Sequence, residues 1–136
     1  MKVIDAENMV LGRLAGHVAK QALLGYEVAV VNSEKAVITG NKKAIIDKYK
    51  VRRERGAPRT GPFFPRLPEK IVKRTIRGML PYKKPRGRDA FKNIKCYIGV
   101  PEKFEKENIE KLDEFDIKHK NVSYVNIHTI SRELGA

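Results

Sequence analysis

The sequence predicts an α/β fold in which a parallel sheet is covered by helices. Strand-like and helix-like segments alternate through the first part of the chain, an order typical of parallel sheets. Residues 28–31, Val-Ala-Val-Val, are wholly apolar and mostly β-branched, which indicates a strand buried on both faces. The chain has 136 residues, 41% of them hydrophobic, so we expect one domain, residues 1–136, with a substantial core.

A short strand and a helix are predicted at the start of the chain. Val3-Ile4-Asp5-Ala6 predicts the strand, and Asn8 is a suitable N-cap for the helix that follows. Apolar side chains then recur at helical spacing at Leu11, Leu14, Ala15, Val18 and Ala22. We expect Gly25 to end this helix, because glycine is common just past a helix C-terminus.

A third strand and a second helix come next. Residues 36–38 predict the strand, and Asn41 is expected to cap a helix that runs into Arg55 and stops at Gly56. The strand–helix–strand–helix order up to this point is the reason for expecting a parallel sheet.

The stretch at residues 56–68 breaks this pattern. It holds four of the seven prolines of the chain, and proline disfavours both helices and central strands. Arg59 and Arg66 flank Phe63 and Phe64. Basic residues interleaved with aromatic ones suit RNA, whose unstacked bases can lie on rings while guanidinium groups bind phosphates. Burial in the core is the alternative for the two phenylalanines, whereas the arginines have no such alternative.

A two-faced helix is predicted from Pro68 to Leu80. Proline suits the first turn of a helix, and Pro81 prevents its continuation. One face collects Lys70, Lys73, Arg74 and Arg77, and the opposite face collects Val72, Ile76 and Met79. Because like charges at this spacing repel, a polyanionic partner explains the cationic row better than helix stability does. Residues 82–88 are expected to form a flexible basic loop.

The remaining elements are short. Residues 95–100 predict a further strand, and the acidic residues around 107–112 predict a short helix. A last helix is expected at residues 129–134.

Charge is concentrated in one part of the chain. Residues 42–88 contain 17 lysines and arginines against three acids, a net charge of +14, whereas the whole chain carries +13. Residues 101–118 reverse the balance, with seven acids against four lysines. We therefore divide the domain into a basic RNA-binding stretch, 42–88, and an acidic segment with a C-terminal tail, 101–136. The alternative is a hydrated surface without a partner.

So large an excess of cations indicates an anionic partner, because self-repulsion otherwise destabilises the compact state. Nucleic acid is favoured over an anionic membrane, and no run of about 18 apolar residues is present to span a bilayer. The single cysteine, Cys96, excludes an intramolecular disulfide and favours a reducing cytoplasm.

Signals for catalysis are weak. Residues 39–43 follow a strand and open a helix, but they lack the full Gly-x-x-x-x-Gly-Lys-Ser/Thr spacing of a triphosphate-binding loop. They could still hold one RNA phosphate at a helix N-terminus. The three histidines share no metal-ligand spacing with one another or with Cys96. We expect no catalytic residue, metal, cofactor or small-molecule substrate, and a nucleotide-dependent enzyme is the disfavoured alternative.

Several segments together resemble one known family. They are Asp5-Ala6, Leu11-Gly12-Arg13-Leu14-Ala15, Val30-Val31-Asn32, Ile38-Thr39-Gly40-Asn41-Lys42, Ile76-Arg77-Gly78-Met79-Leu80-Pro81 and Tyr97-Ile98-Gly99-Val100-Pro101. In this order, across residues 3–101, they are similar to the universal large-subunit ribosomal protein family called L-thirteen. The Gly-Pro-Phe-Phe-Pro-Arg insert resembles the archaeal and eukaryotic branch, and the short C-terminus favours an archaeal member.

The resemblance implies a three-layer α/β/α fold around a four-stranded parallel sheet. It also implies a cytoplasmic place in the large ribosomal subunit, on ribosomal RNA beside neighbouring ribosomal proteins, with a role in assembly and no catalysis. A free RNA-binding translational regulator remains open as the alternative. The residues expected to contact RNA are Lys42, Lys43, Arg52, Arg53, Arg55, Arg59, Arg66, Lys70, Lys73, Arg74, Arg77, Lys83, Lys84, Arg86 and Arg88.

Overall fold

This computed structural model describes residues 2–57, 59–117 and 122–135, so Pro58 of the proline-rich stretch and His119 lie outside the described residues. Six strands, six α-helices and two short 3₁₀ helices occur in these ranges, and the strands and α-helices are numbered here. In chain order they are β1 (Lys2–Asp5), α1 (Leu11–Leu23), β2 (Val28–Val31), β3 (Val37–Thr39), α2 (Lys42–Glu54), α3 (Pro68–Gly78), α4 (Pro85–Lys92), β4 (Ile94–Cys96), α5 (Glu102–Glu105), β5 (Ile109–Lys111), β6 (Tyr124–Asn126) and α6 (Ile127–Glu133).

The predicted fold class is confirmed. Four strands form one sheet in the order β4-β2-β1-β5, and each neighbouring pair is parallel. All four residues of β2 are buried, as their composition predicted. The third predicted strand lies elsewhere, because β3 pairs antiparallel with β6 in a separate two-stranded sheet. The fourth strand of the parallel sheet is instead β5.

The two faces of the parallel sheet are covered unequally. On one face, Ile4 and Val30 belong to a large core that includes buried side chains of α1, α3 and α4. On the other face, Val3 and Val31 pack with Phe104 of the short helix α5. The sheet and these two coverings form the three layers. The layer that contains α1, α3 and α4 carries most of the basic stretch, residues 42–88.

The helix ends agree with the sequence in two places and differ in a third. The Asn41 side chain accepts a hydrogen bond from the Ala44 N–H at 3.3 Å and caps α2, as predicted. Gly25, with a positive φ of 100°, lies just beyond the end of α1. The Asn8 prediction is wrong, since Val10 is the N-cap of α1. The backbone of Asn8 is used instead in hydrogen bonds to Lys35 and Ile117.

The helix predicted around residues 107–112 is also wrong. Residues Ile109–Lys111 form β5, which pairs with β1 at the edge of the parallel sheet. Pairing with an open strand edge supplies backbone hydrogen bonds that the local residue pattern does not reveal. Only three residues, Ile94–Cys96, form β4 where a strand was predicted at 95–100, and α6 begins at Ile127, two residues earlier than predicted.

The region between α3 and β4 is more ordered than predicted. Residues 82–88 are not a loop throughout, because α4 begins at Pro85, which occupies its first turn. Gly87 is buried, and a Cβ at this position would lie 2.0 Å from the Pro81 carbonyl oxygen. The two-faced helix α3 ends at Gly78, so Met79 leaves the apolar face and is 45% exposed, whereas Ile76 is fully buried.

Candidate nucleic-acid interface

The proline-rich segment 56–67, which we name the arm, is anchored to helices that lie apart from each other in the chain. The Arg53 guanidinium of α2 donates to the Phe64 carbonyl oxygen. The Ser131 hydroxyl of α6 donates to the Arg66 carbonyl oxygen at 2.7 Å. The two adjacent phenylalanines separate, since Phe64 is half-buried and Phe63 is 65% exposed. The sequence left open that both rings are buried in the core. This is wrong for Phe63 and holds only partly for Phe64.

A cleft of about 650 Å³ lies where the arm meets the helices, and we name it the central cleft. The first turn of α1, the end of β3, α2, the arm and α3 all contribute to its walls. The residues that line it are Val10, Leu11, Gly12, Ile38, Thr39, Lys48, Tyr49, Arg52, Arg55, Pro62, Phe64, Arg74, Thr75 and Gly78. Four of these described residues are cations and none is a carboxylate.

Aromatic rings and arginines are layered inside the central cleft. Phe64 meets Tyr49 edge to face, with ring centroids 5.6 Å apart. The Arg52 guanidinium carbon lies 5.2 Å from the Tyr49 centroid and 5.8 Å from that of Phe64. The Arg74 guanidinium carbon is 5.7 Å from the Phe64 centroid. Tyr49, Arg52, Phe64 and Arg74 form the aromatic–arginine cluster, in which cation–π attraction holds each guanidinium on a ring.

The electrostatics of this cluster favour an anion. Partial burial lowers the pKa of Arg74, and the positive charges of Arg77 and Arg52 lower it further. Burial raises the pKa of the Tyr49 hydroxyl, against the opposing effect of Arg52. Arginine stays protonated at neutral pH even when its pKa is reduced. The cluster therefore holds neighbouring cations close together, and an anionic ligand would relieve their repulsion.

The four cations that the sequence places on one face of α3 differ in their exposure to solvent. Lys70 is exposed, whereas Lys73, Arg74 and Arg77 are half-buried. The Lys73 ammonium lies 4.9 Å from the ring centroid of Phe91 in α4, and the Arg77 guanidinium carbon lies 4.7 Å from that of Tyr82. Long cationic side chains can bury their stems against apolar groups and keep their heads wet, which accounts for these positions.

The cations after α3 are placed differently. Lys83, Lys84, Arg86 and Arg88 are all exposed on the turn before α4 and on its first residues. The Arg88 guanidinium donates to the Lys83 carbonyl oxygen at 3.0 Å. These four cations follow α3 directly in the chain. Among the described residues, none of the four lies over an aromatic ring, whereas Lys73, Arg74 and Arg77 of α3 each do.

The other predicted residues surround the central cleft or lie beyond it. Arg53, Arg55 and Arg66 line a second hollow of about 410 Å³ that also borders Phe63. Arg59 is exposed on the arm. Lys42 and Lys43 begin α2 and line a different hollow. That hollow includes the Lys50–Glu133 ion pair, at 3.7 Å, so these two lysines are not brought into the central cleft.

Lys48 is a cation of the central cleft that the sequence-based prediction omitted. It shares one face of α2 with Arg52, at a spacing of four residues, and Arg55 follows as the C-cap of this helix. This spacing is visible in the sequence, but the prediction placed the basic part of the helix from Arg52 onward. The ring platforms Tyr82 and Phe91 were omitted as well, because their contacts with α3 join separate elements.

Other kinds of site find no support in the described parts of the chain. These residues contain no group of three or more histidine, cysteine or acidic side chains that could hold a metal ion. None of their helices is long and apolar enough to cross a bilayer. Burial raises the pKa of the Cys96 thiol to about 12, which is the opposite of what a reactive thiolate requires.

The fold and the cleft together define a class: a basic α/β protein whose surface is suited to a polyanion. The family model of ribosomal protein L13 matches residues 1–103. The large ribosomal subunit protein uL13 of Methanopyrus kandleri is 49% identical over 136 residues, covering 98% of this chain and 86% of that protein. The uL13 protein of Methanococcus maripaludis is 48% identical over 140 residues, covering 100% and 98%. That of Archaeoglobus fulgidus is 46% identical, covering 98% and 86%.

The chain therefore belongs to the ribosomal protein L13 family, in its archaeal branch. This confirms the family and the branch that the residue segments had indicated.

Proposed function

We propose that this protein is a structural constituent of the large ribosomal subunit that binds ribosomal RNA and supports assembly of the subunit. Family membership supports this role, since the relatives carry the name of a large-subunit ribosomal protein. In this role the protein is not an enzyme. It acts in the cytoplasmic ribosome, and its partners are ribosomal RNA and neighbouring ribosomal proteins.

The observation that carries the RNA contact is the central cleft. Lys48, Arg52, Arg55 and Arg74 line it, and no described carboxylate does. Phosphate contacts supply most of the affinity of a protein for RNA or DNA, and each depends on a cation that is not already neutralised. The proposed interface extends from this cleft over residues 42–88, within one domain of residues 1–136, and residues 101–136 stay outside it.

Sedimentation of a native lysate tests the role on the ribosome. On a sucrose gradient at low magnesium, which separates the subunits, we expect the protein in the large-subunit fractions. Ribonuclease treatment should move it to the light fractions. A protein found wholly in the light fractions without ribonuclease would contradict the proposal and would favour a free regulator.

A pair of variants with equal charge tests the surface. Replacing Arg52, Arg55 and Arg74 by glutamine should reduce the share of protein that enters large subunits. The control replaces three exposed lysines outside residues 42–88 by glutamine, so that it loses the same charge. These are Lys95, Lys106 and Lys111. Equal losses for the two variants would show that net charge matters and the cleft does not.

A further inference from the structure

The central cleft has more room and more aromatic surface than phosphate binding requires. Its volume of about 650 Å³ lies within the range of roughly 300–1,000 Å³ that is typical of pockets for small organic ligands. Cations that only contact a phosphate backbone can lie on an open, polar surface. Here the apolar residues Leu11, Ile38, Pro62 and Phe64 share the lining with the cations.

Two kinds of flat group in this cleft suit a nucleobase. Phe64 offers part of its ring, because it is only half-buried. Arg52 and Arg74 each place a planar guanidinium within 6 Å of the Phe64 centroid, at 5.8 and 5.7 Å. Proteins recognise unstacked RNA bases by stacking them on aromatic rings and on guanidinium planes. Both platforms are present here, and Phe64 also packs edge to face with Tyr49.

We propose that the central cleft accepts one unstacked nucleotide of RNA. Its base stacks on the aromatic–arginine cluster, and its phosphate is held by Lys48 and Arg55 at the margin. This inference rests on the proposed function and deepens it, because it assigns one base to a cleft that α2, the arm and α3 form together.

Thr75 adds a hydroxyl group to the wall of the central cleft, and the donor side of this hydroxyl is already used. Its hydroxyl donates to the Ile71 carbonyl oxygen at 3.1 Å, one turn back in α3. With its proton used in this way, the oxygen is left with lone pairs to accept a hydrogen bond. A base that enters as far as Thr75 can therefore donate to it from an exocyclic amino group.

An acidic peptide of a neighbouring protein would satisfy the cations but not the rings. Aspartate and glutamate carry their charge on flexible aliphatic stems, which gain little from a stacking platform. A nucleotide uses both features, since every base has a π-face and every phosphate has a negative charge. The observations therefore favour RNA over a peptide, and the experiment includes the peptide as an outcome.

The probe is a short oligouridylate that carries one central 2-aminopurine nucleotide, whose fluorescence falls when the base stacks. The chain contains no tryptophan, so its own emission interferes little with this signal. We expect quenching on addition of the full-length protein. A chain of the same length that lacks every base, but keeps every phosphate, should bind about tenfold more weakly at the same salt concentration.

One ring inside the central cleft and one exposed ring outside the proposed interface supply a matched pair of variants. Phe64→Leu keeps an apolar side chain against Tyr49 but removes the ring, and we expect it to weaken binding of the intact probe about tenfold. It should not change binding of the abasic probe. Tyr26→Leu removes an exposed ring that lies outside residues 42–88 and should leave the quenching unchanged. Thermal melting of both variants shows whether each is folded, and the comparison of the two probes on the unaltered protein does not depend on any variant.

Three competitors show whether the central cleft binds RNA, a free nucleotide or an acidic peptide. Unlabelled oligouridylate should displace the probe, whereas free AMP or UMP and an oligoglutamate of equal charge should not. Equal affinity of intact and abasic probes, or displacement by oligoglutamate as effective as by RNA, would overturn the inference. Tight binding of the free mononucleotide would also overturn it, since the site would then not be one for RNA. Each of these results leaves sedimentation with large subunits unaffected, so the proposed function can stand if the nucleotide site fails.

Discussion

The cations of α3 and those of residues 83–88 are neighbours in the chain, yet they are held in different ways. Lys73 lies over Phe91, Arg74 over Phe64 and Arg77 over Tyr82, and all three side chains are half-buried. The four cations after α3 are exposed, and the turn that carries them is fixed mainly through its backbone. One group is supported by rings from separate elements, and the other extends into solvent.

Because the two groups of cations are held differently, we expect them to contribute differently to RNA binding although they carry the same charge. Immobilising a long side chain on binding costs about 0.5–1.5 kcal/mol, and a cation already resting on a ring has given up part of that freedom. Partial burial also weakens solvent screening, so the α3 cations act more strongly over short distances. Exposed cations attract RNA over longer distances but define its position less. We infer that α3 positions RNA and that residues 83–88 increase the rate of association.

Neutralising each group of cations in turn should give the largest difference between α3 and residues 83–88. One variant replaces Lys70, Lys73, Arg74 and Arg77 by glutamine, and the other replaces Lys83, Lys84, Arg86 and Arg88. Removing one phosphate contact should lower the slope of log affinity against log salt by about 0.7–0.9, so removing four changes it by roughly three. We expect similar slopes but a larger decrease in affinity for the α3 variant. Fluorescence anisotropy with large-subunit ribosomal RNA measures both quantities.

The kinetics complete this test. Stopped-flow measurements should show a faster dissociation rate for the α3 variant and a slower association rate for the other. If the two variants change association and dissociation alike, the ring contacts do not distinguish the two groups.

A glycine pair tests whether the turn between the two groups is fixed by packing. Gly87→Ala would place a Cβ 2.0 Å from the Pro81 carbonyl oxygen, so the turn or α4 must shift. Overpacking of this kind costs about 1–3 kcal/mol of unfolding free energy. Gly78→Ala, at the end of α3, meets nothing within 4 Å and should be neutral or stabilising by up to about 1 kcal/mol. Urea unfolding of both variants gives the comparison, and equal stabilities would show that the close approach at Gly87 is relieved without cost.

Much of the fold could be predicted because its elements are locally encoded. The apolar run of β2 and the Asn41 cap of α2 each depend on residues within one element, and both are confirmed. The strand β5 was wrongly predicted as a helix because its stability comes from pairing with β1, about a hundred residues away in sequence. The pairing of β3 with β6 could not be inferred for the same reason.

The candidate site was predictable in content but not in arrangement. Charge counting finds the arginines of α2 and α3, since it needs no structure. It does not show that Phe64 contacts both Arg52 and Arg74, because these residues come from the arm, α2 and α3 and meet only after folding. It also treats Phe63 and Phe64 alike, although one is exposed and the other supports the cluster.

The Cys96 thiol offers the smallest and most local test of the α3 group. Burial raises its pKa to about 12 from an ordinary value of 9.0, and the positive charge of Lys73 acts in the opposite direction. The unfolded thiol ionises first as the pH rises, so this group's contribution to folding stability is complete below about pH 9. It is lost progressively as the pH rises towards about 12. In the native protein, alkylation by iodoacetamide should therefore be much slower than in denaturant.

Charge replacement turns this thiol into a reporter of where Lys73 lies. Lys73→Gln removes a charge that favours the thiolate, so the thiol pKa should rise further and alkylation at pH about 9 should slow. Lys84→Gln removes an equal charge from the exposed group and should leave the rate unchanged, because salt screens a distant solvated charge. A similar decrease for both variants would mean that Lys73 is no better fixed than the cations of residues 83–88. In that case its contact with Phe91 would not be the persistent arrangement on which the distinction between the two groups depends.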